Sequence, residues 1–232
     1  MNTVRPIGGM TTREFLICML YLPIHVFGLP AVGAMLYDRG ILTLSQVNLY
    51  IYAIGAVFML AFLWDFFKRE FYVFCDRPGF CIVIIGASYL IMLGFNMVVS
   101  SVLFSVAGDM NPNTQAVADL AQLDMRTTAA MSIFMAPILE EPIFRGAIFG
   151  AIRPKSRYLA YGVSMLLFAV YHVWGYALAD PIMWVYVIQY LPVSFLLCQC
   201  YERTGSIWTS VFFHMLVNGI SIGLQSVLGE LI

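Results

Sequence analysis

Charge is what this chain of 232 residues has least of: 11% of its residues are charged and 61% are hydrophobic. Soluble domains carry about 25% charged residues, so a water-exposed globular fold is excluded. The net charge is −1 and no basic block occurs, which removes the electrostatic footprint of a nucleic-acid binder. Cysteine is sparse. Cys18, Cys75, Cys81, Cys198 and Cys200 form no Cys-x-x-Cys pair, and Cys198-x-Cys200 lacks zinc-knuckle spacing. All five read as small apolar side chains. Familiar catalytic sets are missing as well. There is no His-Glu-x-x-His and no pair of aspartates inside apolar runs, and Ser132 and Ser164 sit in no recognisable motif. No repeat or low-complexity segment is present, and the length leaves no room for a soluble second domain.

What is present is a series of apolar runs, each long enough for a helix of about 20 residues to cross a bilayer. They lie at about 15–37, 46–67, 78–108, 127–152, 158–179, 182–200 and 205–228. The expected fold is all-α: a polytopic transmembrane helix bundle of about seven spans in an integral multi-pass membrane protein of a cell inner or plasma membrane. It forms one integral domain over 1–232, with 1–125 as N-terminal spans and 126–232 as the core that carries the motifs. A signal peptide is the rival reading of the first run, because Ala31, Gly33 and Ala34 follow its apolar part. Its length, with Pro23 and His25 inside, favours a retained span in which His25 is a hydrogen-bonded packing residue. Lys68-Arg69-Glu70, followed by Phe71-Tyr72-Val73-Phe74, reads either as an interfacial segment at the headgroups or as a plain loop. The stretch from Asp109 to Arg126 reads as the longest polar loop, with Asn111-Pro112-Asn113 as a turn.

Seven spans put the termini on opposite faces. One face then carries Arg5, Arg13, Lys68, Arg69, Arg77, Arg153, Lys155, Arg157 and Arg203, against Arg39 and Arg126 on the other. Basic residues concentrate in cytoplasmic loops, so the N-terminus is expected in the cytoplasm.

Inside the fourth run lies Ile138-Leu-Glu140-Glu141-Pro-Ile-Phe-Arg145-Gly146. Ionised groups at this depth cost roughly 2.5–3.5 kcal/mol each on insertion scales and usually mark function. Glu141 and Arg145 are i and i+4 and can pair on a helix, while Glu140 is rotated by about 100°. A structural carboxylate beside a working one is one reading; an ion network that only fixes packing is the other. Pro137 and Pro142 should kink the run or free carbonyls. Phe168 and His172 share one face of the fifth run, as His214 and Asn218 do of the seventh. Counted from the basic face at about 1.5 Å per residue, Glu140, His172 and His214 lie roughly 18, 21 and 12 Å deep, so three helices can bring them together. A carboxylate with a histidine can activate water, and a second histidine with an amide can donate to an oxyanion. The set reads as peptide hydrolysis by glutamate-activated water.

Three motifs sharpen this. Glu140-Glu141-Pro-Ile-Phe-Arg145, Phe168-Ala-Val-Tyr-His172 and His214-Met-Leu-Val-Asn218, with the lead-in Thr204-Gly-Ser-Ile-Trp208, resemble the CAAX protease and bacteriocin-processing (Abi) family of glutamate-dependent intramembrane proteases. The resemblance covers about 131–219. It implies that Glu140 and His172 activate water, that Glu141 and Arg145 hold the site, and that His214 and Asn218 stabilise the oxyanion. Phe168 would contribute to substrate binding. It also implies a helical fold with a cavity open toward membrane and cytosol. The partners implied are membrane lipids and a membrane-associated or lipidated peptide: a prenylated tail, a leader or a membrane-protein segment. No cofactor is expected. The alternative is zinc held by Glu140, His172 and His214, with an open position for water. Two further functions compete. A non-enzymatic protein of the same fold, for bacteriocin immunity or regulation of a membrane sensor kinase, would not need the full residue set. A proton-coupled transporter would be expected to show internal repeats.

Overall fold

The computed structural model describes residues 9–107 and 111–229; Arg5 and Asp109 lie outside them. Among the described residues every regular element is helical. The first run is α1 (Thr12–Pro23), a π turn (Ile24–Gly28) and α2 (Leu29–Asp38). Thr11 and Glu14 start it as a capping box, each accepting from the other's backbone N–H. Pro23 has no N–H to donate, and the wide turn after it keeps the chain helical. His25 is buried there with Nε2 2.9 Å from the Tyr171 hydroxyl, the packing role expected of it.

Next come α3 (Leu44–Phe62), α4 (Trp64–Asp76) and α5 (Pro78–Ala107). The second span stops at Phe62 rather than Phe67 because Leu63 leaves helical geometry, with φ −111° and ψ 21°. The aromatic-basic stretch is therefore α4 and not a loop. It buries Phe66, Phe67 and Glu70 and leaves Trp64, Phe71 and Tyr72 exposed, the amphipathic pattern of a helix lying in a membrane interface. Cys75 on α4 is exposed, so the apolar-packing reading holds only for Cys18, Cys81, Cys198 and Cys200.

The expected polar loop is also a helix, α6 (Pro112–Leu123). Asn111 Oδ1 accepts from the N–H groups of Asn113 and Thr114, and Pro112 is pre-set for the first helical position. Asn-Pro-Asn is thus a helix start, not a turn. The fourth run follows as α7 (Met125–Ala129), a π turn (Ala130–Met135), α8 (Ala136–Glu141), a π helix (Pro142–Phe149) and α9 (Gly150–Ile152). Then come α10 (Arg157–Ala179), a 3-10 turn (Pro181–Tyr186), α11 (Val187–Thr204) and α12 (Ile207–Gly229). Gly205, at φ 72°, ends α11 in the left-handed region that suits glycine.

Six of these helical runs are long and apolar enough to cross a membrane. The run 125–152 is not among them, because its ionisable residues lower its apolarity. It is the most enclosed part of the bundle instead: every residue from Ala136 to Gly150 is buried. The other spans turn apolar side chains outward, with Leu90 and Met97 exposed by 70% and 75%. Such surfaces suit lipid, not water. The chain is an integral multi-pass membrane protein.

Glu202, expected in a loop, lies inside α11 and is buried. It accepts from Arg153, from Arg157 at 2.8 Å and from the Tyr161 hydroxyl at 2.6 Å. This ties the α9–α10 connection to the end of α11 and fixes the helices on either side of the charged run.

Candidate active site

The fourth run positions the site through its irregular backbone. A π turn leaves carbonyls without their ordinary i→i+4 partner, and neighbouring helices supply donors. Asn218 Nδ2 donates to Ser132 O at 2.8 Å, Ser164 Oγ to Phe144 O at 2.9 Å, and Cys18 Sγ approaches Pro142 O at 3.8 Å. Pro137 has no N–H to offer the Ser132 carbonyl five residues earlier, and Asn218 turns that carbonyl into a cross-link between helices.

At the end of α8 the two glutamates part as their rotation requires. Glu141, fully buried, accepts from Arg145 Nη1 at 3.3 Å and from His214 Nδ1 at 2.8 Å, both at Oε1. Arg145 is also fully buried. Its Nη2 donates to Ser194 Oγ at 2.9 Å, and its guanidinium lies 4.1 Å from the centre of the Phe168 ring. Ser194 carries no sequence signal; only its place on α11 brings it to the arginine. Glu140 faces elsewhere. Its Oε2 is buried, has no hydrogen-bond partner, and lies 3.7 Å from His172 Nε2.

His172 is held by the atoms around it. Its Nδ1 is 2.8 Å from Phe168 O; a carbonyl only accepts, so Nδ1 carries the proton and the Nε2 lone pair faces Glu140. Tyr190 stacks on the other side of the ring, 4.6 Å between centroids. The Tyr190 hydroxyl accepts from Asn113 Nδ2 at 3.1 Å. Phe168 is buried beneath Arg145 and touches His172 and His214 edgewise or tilted. Its position is that of a platform between the two histidines.

Three helical runs thus converge as their spacing implies. His214 and Asn218 both reach the fourth run, but at different places, Glu141 and Ser132. Glu140, Phe168, His172, His214 and Asn218 line one cavity of about 350 Å³. Tyr52, Asn96, Asn113, Gln189 and Tyr190 complete much of its wall; none of these reads as a site residue in the sequence, where Asn113 stands only in a turn signal. The wall includes Asn113, Thr114 and Val117 of α6, the start of α11 and the later part of α12. All lie toward the face opposite the basic loops, because alternate helices run in opposite directions.

His214 gives Nδ1 to Glu141, Glu140 and His172 stand as a facing pair, and among the described residues no three His, Cys, Asp or Glu side chains form a metal-holding group.

Comparison with known proteins decides the relationship. Residues 123–220 match the family model described as Rce1-like, type II CAAX prenyl endopeptidase. The stretch read from the motifs, 131–219, falls inside the matched region, and so do all seven candidate site residues. "Putative membrane peptidase YdiL" of Bacillus subtilis (strain 168) is 30% identical over 153 residues, 65% of this chain and 59% of that protein. "UPF0177 protein YxdF" of Lactococcus lactis subsp. lactis (strain IL1403) is 31% identical over 99 residues, 43% of this chain and 50% of that protein. The chain therefore spans only 59% and 50% of the lengths of these curated relatives. No solved structure matches it.

Proposed function

We propose that this protein is an intramembrane endopeptidase that hydrolyses a peptide bond with water activated by Glu140 and His172. The observation that carries the reading is the facing pair: a buried carboxylate oxygen without a partner, 3.7 Å from an imidazole lone pair, at the wall of a cavity. Both atoms accept, so a water donating one proton to each would be held with its oxygen lone pairs free for attack. As the water oxygen adds to the carbonyl carbon, its proton passes to Glu140. With the His214 ring carrying both protons, Nδ1–H held by Glu141, the oxyanion accepts from Nε2–H and from the second Nδ2 hydrogen of Asn218. Collapse breaks the C–N bond, and Glu140 returns the proton to the leaving nitrogen. The Rce1-like match and the peptidase name given to the Bacillus relative support this reading. They make hydrolysis of a membrane-associated peptide the nearest precedent.

The test is cleavage of membrane-tethered reporter peptides by purified protein against Glu140→Gln. Glutamine keeps the shape but removes the base, so cleavage should vanish while the protein stays folded and monodisperse in detergent. Undiminished cleavage in Glu140→Gln would remove the assignment. No cleavage by the wild type would favour a non-enzymatic role on the same scaffold.

A further inference from the structure

The cavity and the basic residues occupy opposite faces of the bundle. Lys68 and Arg69 on α4, and Arg77, Arg153, Lys155, Arg157 and Arg203 at or beside helix ends, lie on one face. The cavity wall is built from the other half: α6, the first turns of α11, and α12 beyond His214. Helix α6 is fastened there as a rim. Asn111 Nδ2 donates to Gln189 Oε1 at 2.9 Å and Asn113 Nδ2 to the Tyr190 hydroxyl at 3.1 Å. Since basic loops stay in the cytoplasm, this rim faces outward.

The lining also has a chemistry. Apart from Glu140 and the two histidines, its polar side chains are neutral: Asn96, Asn113, Gln189 and Asn218 stand among apolar residues. An extended peptide brings unpaired backbone N–H and C=O groups, which must find partners when they leave water. Side-chain amides can donate to one and accept from the other. No Lys or Arg lines the cavity among the described residues, so a free C-terminal carboxylate meets no counter-charge.

We propose that the substrate is an internal, uncharged, extended peptide segment that reaches the site from the extracytoplasmic side, not a carboxy-terminal tail presented from the cytoplasm. This rests on the hydrolase reading above and adds sidedness and substrate class to it.

Two measurements test it. The first is labelling with a membrane-impermeant maleimide in intact cells, in a Cys75→Ser background that removes the exposed native thiol. Asp119→Cys on α6 should label and Lys155→Cys should not; the reverse pattern overturns the proposal. The second offers a fluorogenic peptide, uncharged around its cleavage site and coupled at one end to a large dextran, to intact spheroplasts and to inverted vesicles. Cleavage should occur on the spheroplasts alone. Cleavage in detergent and in inverted vesicles only would overturn sidedness while leaving the hydrolase standing. Loss of cleavage in detergent as well would remove the hydrolase reading and this proposal with it, whatever the labelling shows. In detergent, a matched peptide whose free carboxylate falls three residues after the bond should be cleaved more slowly than the internal-segment peptide; faster cleavage would overturn the substrate class.

Discussion

His214 and Arg145 meet at one oxygen. Glu141 Oε1 accepts from His214 Nδ1 at 2.8 Å and from Arg145 Nη1 at 3.3 Å, in a place with no access to water. The carboxylate that looks redundant beside Glu140 is therefore the joint between the fourth run and α12, and its removal should act differently from the removal of Glu140.

Arg145→Ala should destabilise the protein by about 3–5 kcal/mol, because it leaves a buried carboxylate with half its compensation. Glu140→Gln should leave stability almost unchanged. Thermal unfolding of both variants in the same detergent checks this. Equal losses of folded protein would contradict the division of labour between the two glutamates.

His214→Gln should retain measurable activity. Loss of an oxyanion donor costs roughly 10²–10³ in rate, yet the water and its base remain. A zinc ligand behaves otherwise: the same substitution would strip metal, and a tight-binding chelator would inactivate the wild type until zinc is restored. We expect no chelator effect and no stoichiometric zinc in active protein, measured by elemental analysis alongside activity.

Gly55 on α3 is the close-approach point to α8. A Cβ there would lie 2.9 and 3.0 Å from the two Leu139 methyl carbons and 3.1 Å from the Tyr21 hydroxyl. Gly55→Ala should cost about 1–3 kcal/mol by overpacking. Combining it with Leu139→Ala should cost less than the sum of the two single changes, because the small residue at 139 frees the space. Strict additivity in a double-mutant cycle would show that the two helices do not press on each other here.

Glu70 gives stability a pH dependence. Burial pushes its carboxyl up from the ordinary 4.5 to about 8; the Ile207 N–H and Arg69 oppose this and Glu14 adds to it. The folded state then binds a proton that the unfolded chain has already released. Its contribution is fully present below pH 4.5 and is lost as pH rises toward about 8. Glu70→Gln, which keeps an acceptor for the Ile207 N–H 2.9 Å away, should flatten that slope. Unfolding midpoints at pH 5 to 9 in wild type and variant measure it, and an unchanged slope would count against the buried neutral acid.

Much of this protein was legible along the chain. Apolar length decides that a segment spans, because bilayer thickness sets the number of residues needed. The cost of charge at that depth singles out Glu140, Glu141 and Arg145, and helical periodicity pairs Glu141 with Arg145. The polar stretch 109–126 reads as a loop and holds a helix, while 68–74 reads equally as an interfacial segment or a loop. Helices α4 and α6 take their helicity from amphipathic faces and a cap at Asn111, signals that a search for apolar runs passes over. Ser194, Tyr190 and Asn113 have ordinary neighbours in sequence and reach the site only because helices distant along the chain pack beside it. The motif resemblance sets His172 beside Glu140, but that His214 meets Glu141 was beyond the sequence, because rotation about a helix axis is set by packing. The end of the bundle at which the cavity opens was hidden for the same reason. Residue depth follows from counting, but an opening is a gap between helices, and only their packing decides where it lies.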